Sequence, residues 1–158
     1  MQKKIYTILT CIFFLTITSY AQEEYLKIDT SVNPTSILQG KGGILKIKIT
    51  PRSDIKISPF LGFMIKLDDN SNLSYPKVFF TASELDLQAK QENNTLYLDL
   101  GKEIPIPFKV NINALTGRHK ISGEVVFTAV FKDNWSLKTY QKFNADFISI
   151  RNQKDGKK

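Results

Sequence analysis

Reactive side chains are scarce in this sequence of 158 residues, which holds one histidine (His119) and one cysteine (Cys11). A lone cysteine allows no intramolecular disulfide, no CxxC redox pair and no four-cysteine zinc site. One histidine without thiol partners offers no ordinary transition-metal site, so neither a metal nor a cofactor is expected. His119 sits between Arg118 and Lys120, with no carboxylate beside it to orient the ring as a Ser-His-Asp mechanism requires. It reads as an exposed residue at a strand end. A phosphate-cradling loop is missing too, because Gly40-Lys41-Gly42-Gly43 lacks the Gly-Lys-Ser/Thr ending and the following helix and therefore reads as a turn.

Long hydrophobic runs are almost as rare. The longest, Ile5 to Ile17, follows Lys3 and Lys4 and precedes Ser19 and Ala21. It is shorter than the roughly 20 apolar residues that span a bilayer, and its flanks are those of a secretory signal peptide covering residues 1–21. Cys11 belongs to the apolar part of that signal. Cleavage after Ala21 leaves 137 residues without cysteine and, with Lys3 and Lys4 gone, a charge of +5 in place of +7. A secreted or periplasmic protein is expected, with no second membrane-spanning stretch.

What remains is patterned with period two. Leu45, Ile47 and Ile49 alternate with lysines, and Leu96, Leu98 and Leu100 with Tyr97 and Asp99. Ile104, Ile106, Phe108, Val110 and Ile112 form a further inward row whose partners include Pro105 and Pro107. Two prolines place the start of that segment on a sheet edge, since each removes a ladder donor. More strands are predicted at Tyr25–Ile28, Phe63–Leu67, Val78–Thr81, His119–Phe131 and Phe143–Ile150. Ser83–Lys90 reads as a strand or turn. The expected fold is all-β, an immunoglobulin-like antiparallel β-sandwich of about eight strands over residues 22–150, followed by a polar tail at 151–158.

Candidate sites are few. Asp68, Asn70 and Asn72 imitate the start of an EF-hand loop, but Leu73 and Phe79 occupy the positions that need Gly and Glu, so a polar hairpin loop is expected. Asp54, Glu84, Asp86, Glu103 and Asp133 could supply a hydrolytic carboxylate pair only if the fold brought two together. The lysines are spread over several strands without interleaved aromatics, which argues against nucleic acid as a partner. The sharpest surface candidate is the hairpin through Lys132-Asp133-Asn134, carrying Phe131, Trp135 and Tyr140, because aromatics at a loop tip are favoured protein-binding anchors.

From Pro34 to Ile150 the order of features resembles the N-terminal periplasmic domain of the thiol:disulfide interchange protein DsbD, in its Bacteroidota form. The resemblance rests on Ile37-Leu38-Gln39-Gly40, Ser58-Pro59, Ile65-Lys66-Leu67, the run from Gly117 to Ala129, and Phe143–Ile150. It implies an immunoglobulin-like scaffold that passes electrons from a membrane partner to thioredoxin-like proteins. The family's redox cysteines fall just after the strand ending near Ala129, where this chain has Val130 and Ser136. Neither side chain can form the thiolate that disulfide exchange needs. The expected function is a non-enzymatic module that binds an envelope or periplasmic protein, thioredoxin-like ones included. The alternatives are a small carbohydrate-active or hydrolytic domain and an envelope structural subunit.

Overall fold

The computed structural model describes residues 24–60, 62–92 and 94–151. The expected signal segment at 1–21 and the tail beyond Arg151 lie outside the described residues. The chain is an all-β, immunoglobulin-like sandwich. One sheet has the order β1 (Leu26–Asn33), β3 (Gly42–Pro51), β10 (Ile104–Val110) and β6 (Leu73–Ser74). The other runs β2 (Ser36–Leu38), β12 (Ser136–Ile150), β11 (Gly117–Phe131), β5 (Met64–Leu67) and β7 (Phe79–Thr81), and β4 (Ile55–Ile57) also pairs with β11. A separate hairpin joins β8 (Ala89–Glu92) to β9 (Thr95–Leu98).

The pairs are antiparallel except β2 with β12, which is parallel. That exception arises because the first strand changes sheets: β1 pairs with β3, the chain crosses at the cis Asn33–Pro34 bond, and β2 joins β12 in the opposite layer. The eight expected strands are all present. The other four, β2, β4, β6 and β8, have only two to four residues each, too short for alternation to declare them.

Period-two patterning builds the core. Leu45, Ile47 and Ile49 of β3 and Ile104, Ile106, Phe108 and Val110 of β10 face Ile121, Val125 and Phe127 of β11 and Phe143, Ala145 and Phe147 of β12. Phe108 and Phe147 meet across the layers with ring centroids 5.5 Å apart. Two inward assignments fail. Ile112 is 61% exposed because β10 ends at Val110 and the alternation stops with the ladder. Leu96 is also exposed, since β9 belongs to the small hairpin and not to a sandwich layer. Gly42 and Gly43 are strand residues, not part of a turn.

Glycine is required at Gly123, which sits in β11 opposite Leu67 of β5 and Phe143 of β12. A Cβ there would run into the Lys66 carbonyl oxygen and stand 2.7 Å from the Phe143 ring. Gly123→Ala should therefore cost about 2–3 kcal/mol through overpacking against backbone, read as a lower urea midpoint.

The turn before β8 is pinned by Glu84, which accepts from Lys77, from the Thr81 amide at 3.0 Å and from Thr81 Oγ1 at 3.1 Å. The Lys77 bond, with the two from Thr81, holds its carboxyl at a pKa of about 2 against an ordinary 4.5. A depressed carboxyl contributes order above its unfolded value and loses it as pH falls through the folded one. Thr81 amide exchange, corrected for intrinsic pH dependence, should thus accelerate between pH 4.5 and 2, and Glu84→Gln should show the fast rate throughout.

Candidate functional site

The predicted aromatic tip is built by the longest ladder among the described residues. β11 and β12 pair without interruption from Gly117–Ser149 to Val130–Ser136, and the hairpin closes through Lys132-Asp133-Asn134. Phe131 donates its amide to the Trp135 carbonyl at 3.0 Å, and Asn134 donates to the Phe131 carbonyl at 3.0 Å. Asn134 takes a positive φ of 65°, the left-handed closing residue of a three-residue hairpin loop, which Asn tolerates well.

This pairing sets Phe131 and Trp135 on one face. Their rings stack 3.8 Å apart and 3° from parallel. Phe131 is half-buried, with the Tyr25 ring edge-on at 5.8 Å and 88°. The Arg52 guanidinium lies 5.2 Å from the Tyr25 ring and donates to both Asp54 oxygens, at 2.6 and 2.9 Å. The resulting stack of Trp135, Phe131, Tyr25 and Arg52 leaves Trp135 47% exposed with its orientation fixed by Phe131. Tyr25 and Arg52 went unrecognised as supports because one opens a strand and the other sits in a short loop. Only the pairing of β4 with the end of β11 brings that loop to the hairpin.

Tyr140 does not join them. Five residues beyond Trp135, it falls on the opposite face of β12 by strand alternation, 45% exposed, in the outer row with Lys138 and Lys142.

Below the tip lies an open cleft of about 550 Å³ lined by Asp54, Lys56, Glu92, Thr95, Phe131 and Asn134. Lys56 bonds Glu92 at 2.7 Å and lies 4.6 Å from the Tyr97 ring, joining the β8–β9 hairpin to β4.

Four of the five candidate carboxylates, Asp54, Glu84, Asp86 and Glu103, are engaged in local bonds. Asp54 is held below its ordinary pKa chiefly by the Arg52 hydrogen bonds, and Glu84 is fixed as described. Glu103 pairs with Lys46 at 3.3 Å, and Asp86 accepts from Gln88 at 2.8 Å. A glycosidase acid requires the reverse shift, a raised carboxyl pKa. Among the described residues no group of three or more acidic, His or Cys side chains could hold a metal ion. In the EF-hand-like loop, Asn70 bonds the Asn72 amide and the Lys120 carbonyl, and Asn72 accepts from the Leu115 amide. These asparagines serve as turn locks. His119 is half-buried rather than exposed, stacked on Phe147 at 5.5 Å with a ring nitrogen 2.6 Å from the Leu115 carbonyl.

Val130 and Ser136 are direct cross-strand partners on the outer face. The neighbouring pair Phe131–Trp135 is a hydrogen-bonded one, so Val130–Ser136 is of the non-bonded kind, with Cα atoms about 4.5 Å apart. That separation lies within the range a disulfide spans. In a chain lacking residues 1–21, and so lacking Cys11, Val130→Cys with Ser136→Cys should oxidise in air to an intramolecular disulfide, with no titratable thiol in a denatured, unreduced sample. Persisting thiols or disulfide-linked dimers would contradict the register.

No protein-family model and no curated protein matches the sequence. Among solved structures, BcpA, the major pilin subunit of Bacillus cereus, aligns at 10% identity and a TM-score of 0.44, covering 81% of this chain and 41% of the pilin. This chain thus spans about two fifths of that chain's length. A conjugate transposon protein from Bacteroides vulgatus aligns at 12% identity and a TM-score of 0.35, covering 80% of this chain and 87% of its own. Murine CRIg aligns at 11% identity and a TM-score of 0.34, covering 80% and 99% respectively.

Proposed function

We propose that this chain is a non-enzymatic protein-binding module of the cell envelope, secreted or periplasmic, whose principal contact is the aromatic tip of the β11–β12 hairpin. The observation that carries this reading is the Trp135–Phe131 stack at 3.8 Å, anchored from behind by Tyr25 and Arg52. A large aromatic surface already held in one orientation gains contact area on binding at little further entropic cost. The polar cleft beside it supplies a rim in which Asp54, Lys56 and Glu92 are already engaged.

The resemblance to the DsbD N-terminal domain belongs to the same reading. It gives the scaffold and a partner class, an envelope protein such as a thioredoxin-like one, while Val130 and Ser136 remove thiolate chemistry. Depressed or locally bonded carboxylates favour this over the hydrolytic alternative. In this role the module docks without electron transfer, and the tip is its recognition surface.

The test is capture of envelope proteins by the immobilised mature domain. Trp135→Ala should weaken capture of the principal partner about thirtyfold, as loss of a central aromatic anchor does, with the melting temperature nearly unchanged. Trp135→Phe should recover part of it. Equal capture by the natural chain and Trp135→Ala would refute the proposal.

A further inference from the structure

One end of the sandwich, opposite the aromatic tip, exposes aliphatic side chains. The loop between β10 and β11 displays Ile112 at 61% and Leu115 at 72% exposure. At the adjoining corner of the β2–β12 pair, Leu38, Ile148 and Ile150 are exposed as well, with Leu38 directly opposite Ile150 in the register. Hydrogen bonds hold the loop and the corner together. The Gln39 amide donates to the Ile150 carbonyl and the Gly40 amide to the Val110 carbonyl, both at 2.9 Å, while Gln39 Nε2 donates to the Ala114 carbonyl at 2.5 Å.

Much of the loop's backbone is already bonded. The Asn111 amide donates to the Asn72 carbonyl at 2.9 Å, and the Asn111 carbonyl accepts from the Ala114 amide at 3.0 Å. The Leu115 amide donates to Asn72 Oδ1 at 3.0 Å, and its carbonyl lies 2.6 Å from a ring nitrogen of His119. Asn111, Ala114 and Leu115 thus have both main-chain groups satisfied within the protein. A backbone bonded in this way can enter a water-poor layer without the penalty that a bare N–H or C=O carries there.

The charges around this end are mostly positive. Lys41, Lys109, Lys120 and Arg151 are exposed and make no ion pair among the described residues. Lys41 and Lys109 are placed there by the bond from the Val110 amide to the Lys41 carbonyl, and Lys120 by the bond from Asn70 to its carbonyl. Arg118 is paired to Asp146 at 3.1 Å, and Asp68 and Asp69 of the loop between β5 and β6 oppose the four free cations. Protein interfaces are enriched in aromatic residues and arginine and depleted in lysine. Exposed aliphatics ringed by lysines, on a loop whose backbone is already bonded, suit instead the surface of an anionic bilayer. We propose that this end docks onto an anionic lipid bilayer, with Ile112 and Leu115 entering the boundary between headgroups and acyl chains and the lysines meeting lipid phosphates. β11 runs fifteen residues from this end to Phe131, so docking here would hold the aromatic tip about 45 Å away along the strand, free for a partner. The inference goes beyond the partner-binding reading and requires nothing of Trp135.

The probe is a vesicle of phosphatidylcholine and phosphatidylglycerol in equal parts, co-sedimented with the mature domain, with pure phosphatidylcholine as the comparison. Binding to the mixed vesicle should be at least about tenfold tighter than to the neutral one. Ile112→Ser with Leu115→Ser, which removes no buried side chain, should weaken it at least about tenfold. Lys109→Glu with Lys120→Glu should erase the preference for phosphatidylglycerol. Leu115→Cys in the mature domain, which has no other thiol, should shift the emission of an attached environment-sensitive dye to the blue on the mixed vesicle, whereas the same dye on Asp133→Cys at the tip should not respond. Absent binding, binding unchanged by the serine pair, a lipid preference unchanged by the charge reversal, or an unshifted dye at position 115 would each overturn the proposal. Self-association of the free domain that the serine pair abolishes would overturn it too, by giving this end to a second copy. Trp135→Ala should bind the vesicles normally, so failure at the tip and failure at this end are separately readable.

Discussion

The structure depends on the β11–β12 ladder. Its two strands of fifteen residues are the longest elements described, and the short pieces of their sheet build on them: β4 and β5 on the free side of β11, β7 beyond β5, and β2 on the end of β12. The ladder supplies the inner row of Ile121, Val125, Phe127, Phe143 and Phe147 against which β3 and β10 pack. Where it outruns the core, the same inward row continues as Phe131 and Trp135. The aromatic tip is the core pattern extended past the end of the sandwich, and for that reason it is both ordered and exposed.

The constraint works through close backbone approach and through parity. Gly123 lets β5 and the Phe143 ring approach β11, keeping three strands in register. Register then decides every facing: Val130 opposite Ser136, Phe131 against Trp135, Tyr140 outward with the lysines. A slip of one residue would exchange the two rows and destroy core and tip together. Local polar contacts fix the rest, with Arg52–Asp54 behind the tip, Glu84 in its turn, and Asn70 and Asn72 in theirs.

Much of this was legible from residue order. Leu45, Ile47 and Ile49, and Ile104 to Val110, declared their inward rows by alternation, and Pro105 and Pro107 declared an edge by lacking donors. Three of the misreadings share one cause. Ile112 continues the alternation in sequence but lies past the last ladder bond, Leu96 alternates within a hairpin outside the main layers, and Tyr140 is near Trp135 in sequence but on the other face. Period two says that a strand exists; it does not say where pairing stops or which layer receives the strand.

Composition and spacing alone determined that the chain is β-rich, that removal of residues 1–21 leaves no thiol, that Val130 and Ser136 cannot exchange disulfides, and that an aromatic pair sits at a turn. These follow from side-chain chemistry and from the two-residue repeat of an extended chain. Only the tertiary structure decided that Tyr25 and Arg52 support the tip, that Asp54 and Glu84 are held ionised in local bonds, and that Tyr140 faces away from Trp135 on the outer side of β12. Those outcomes depend on contacts between segments far apart in sequence, whose positions are set by ladder register and sheet order and are written in no local pattern.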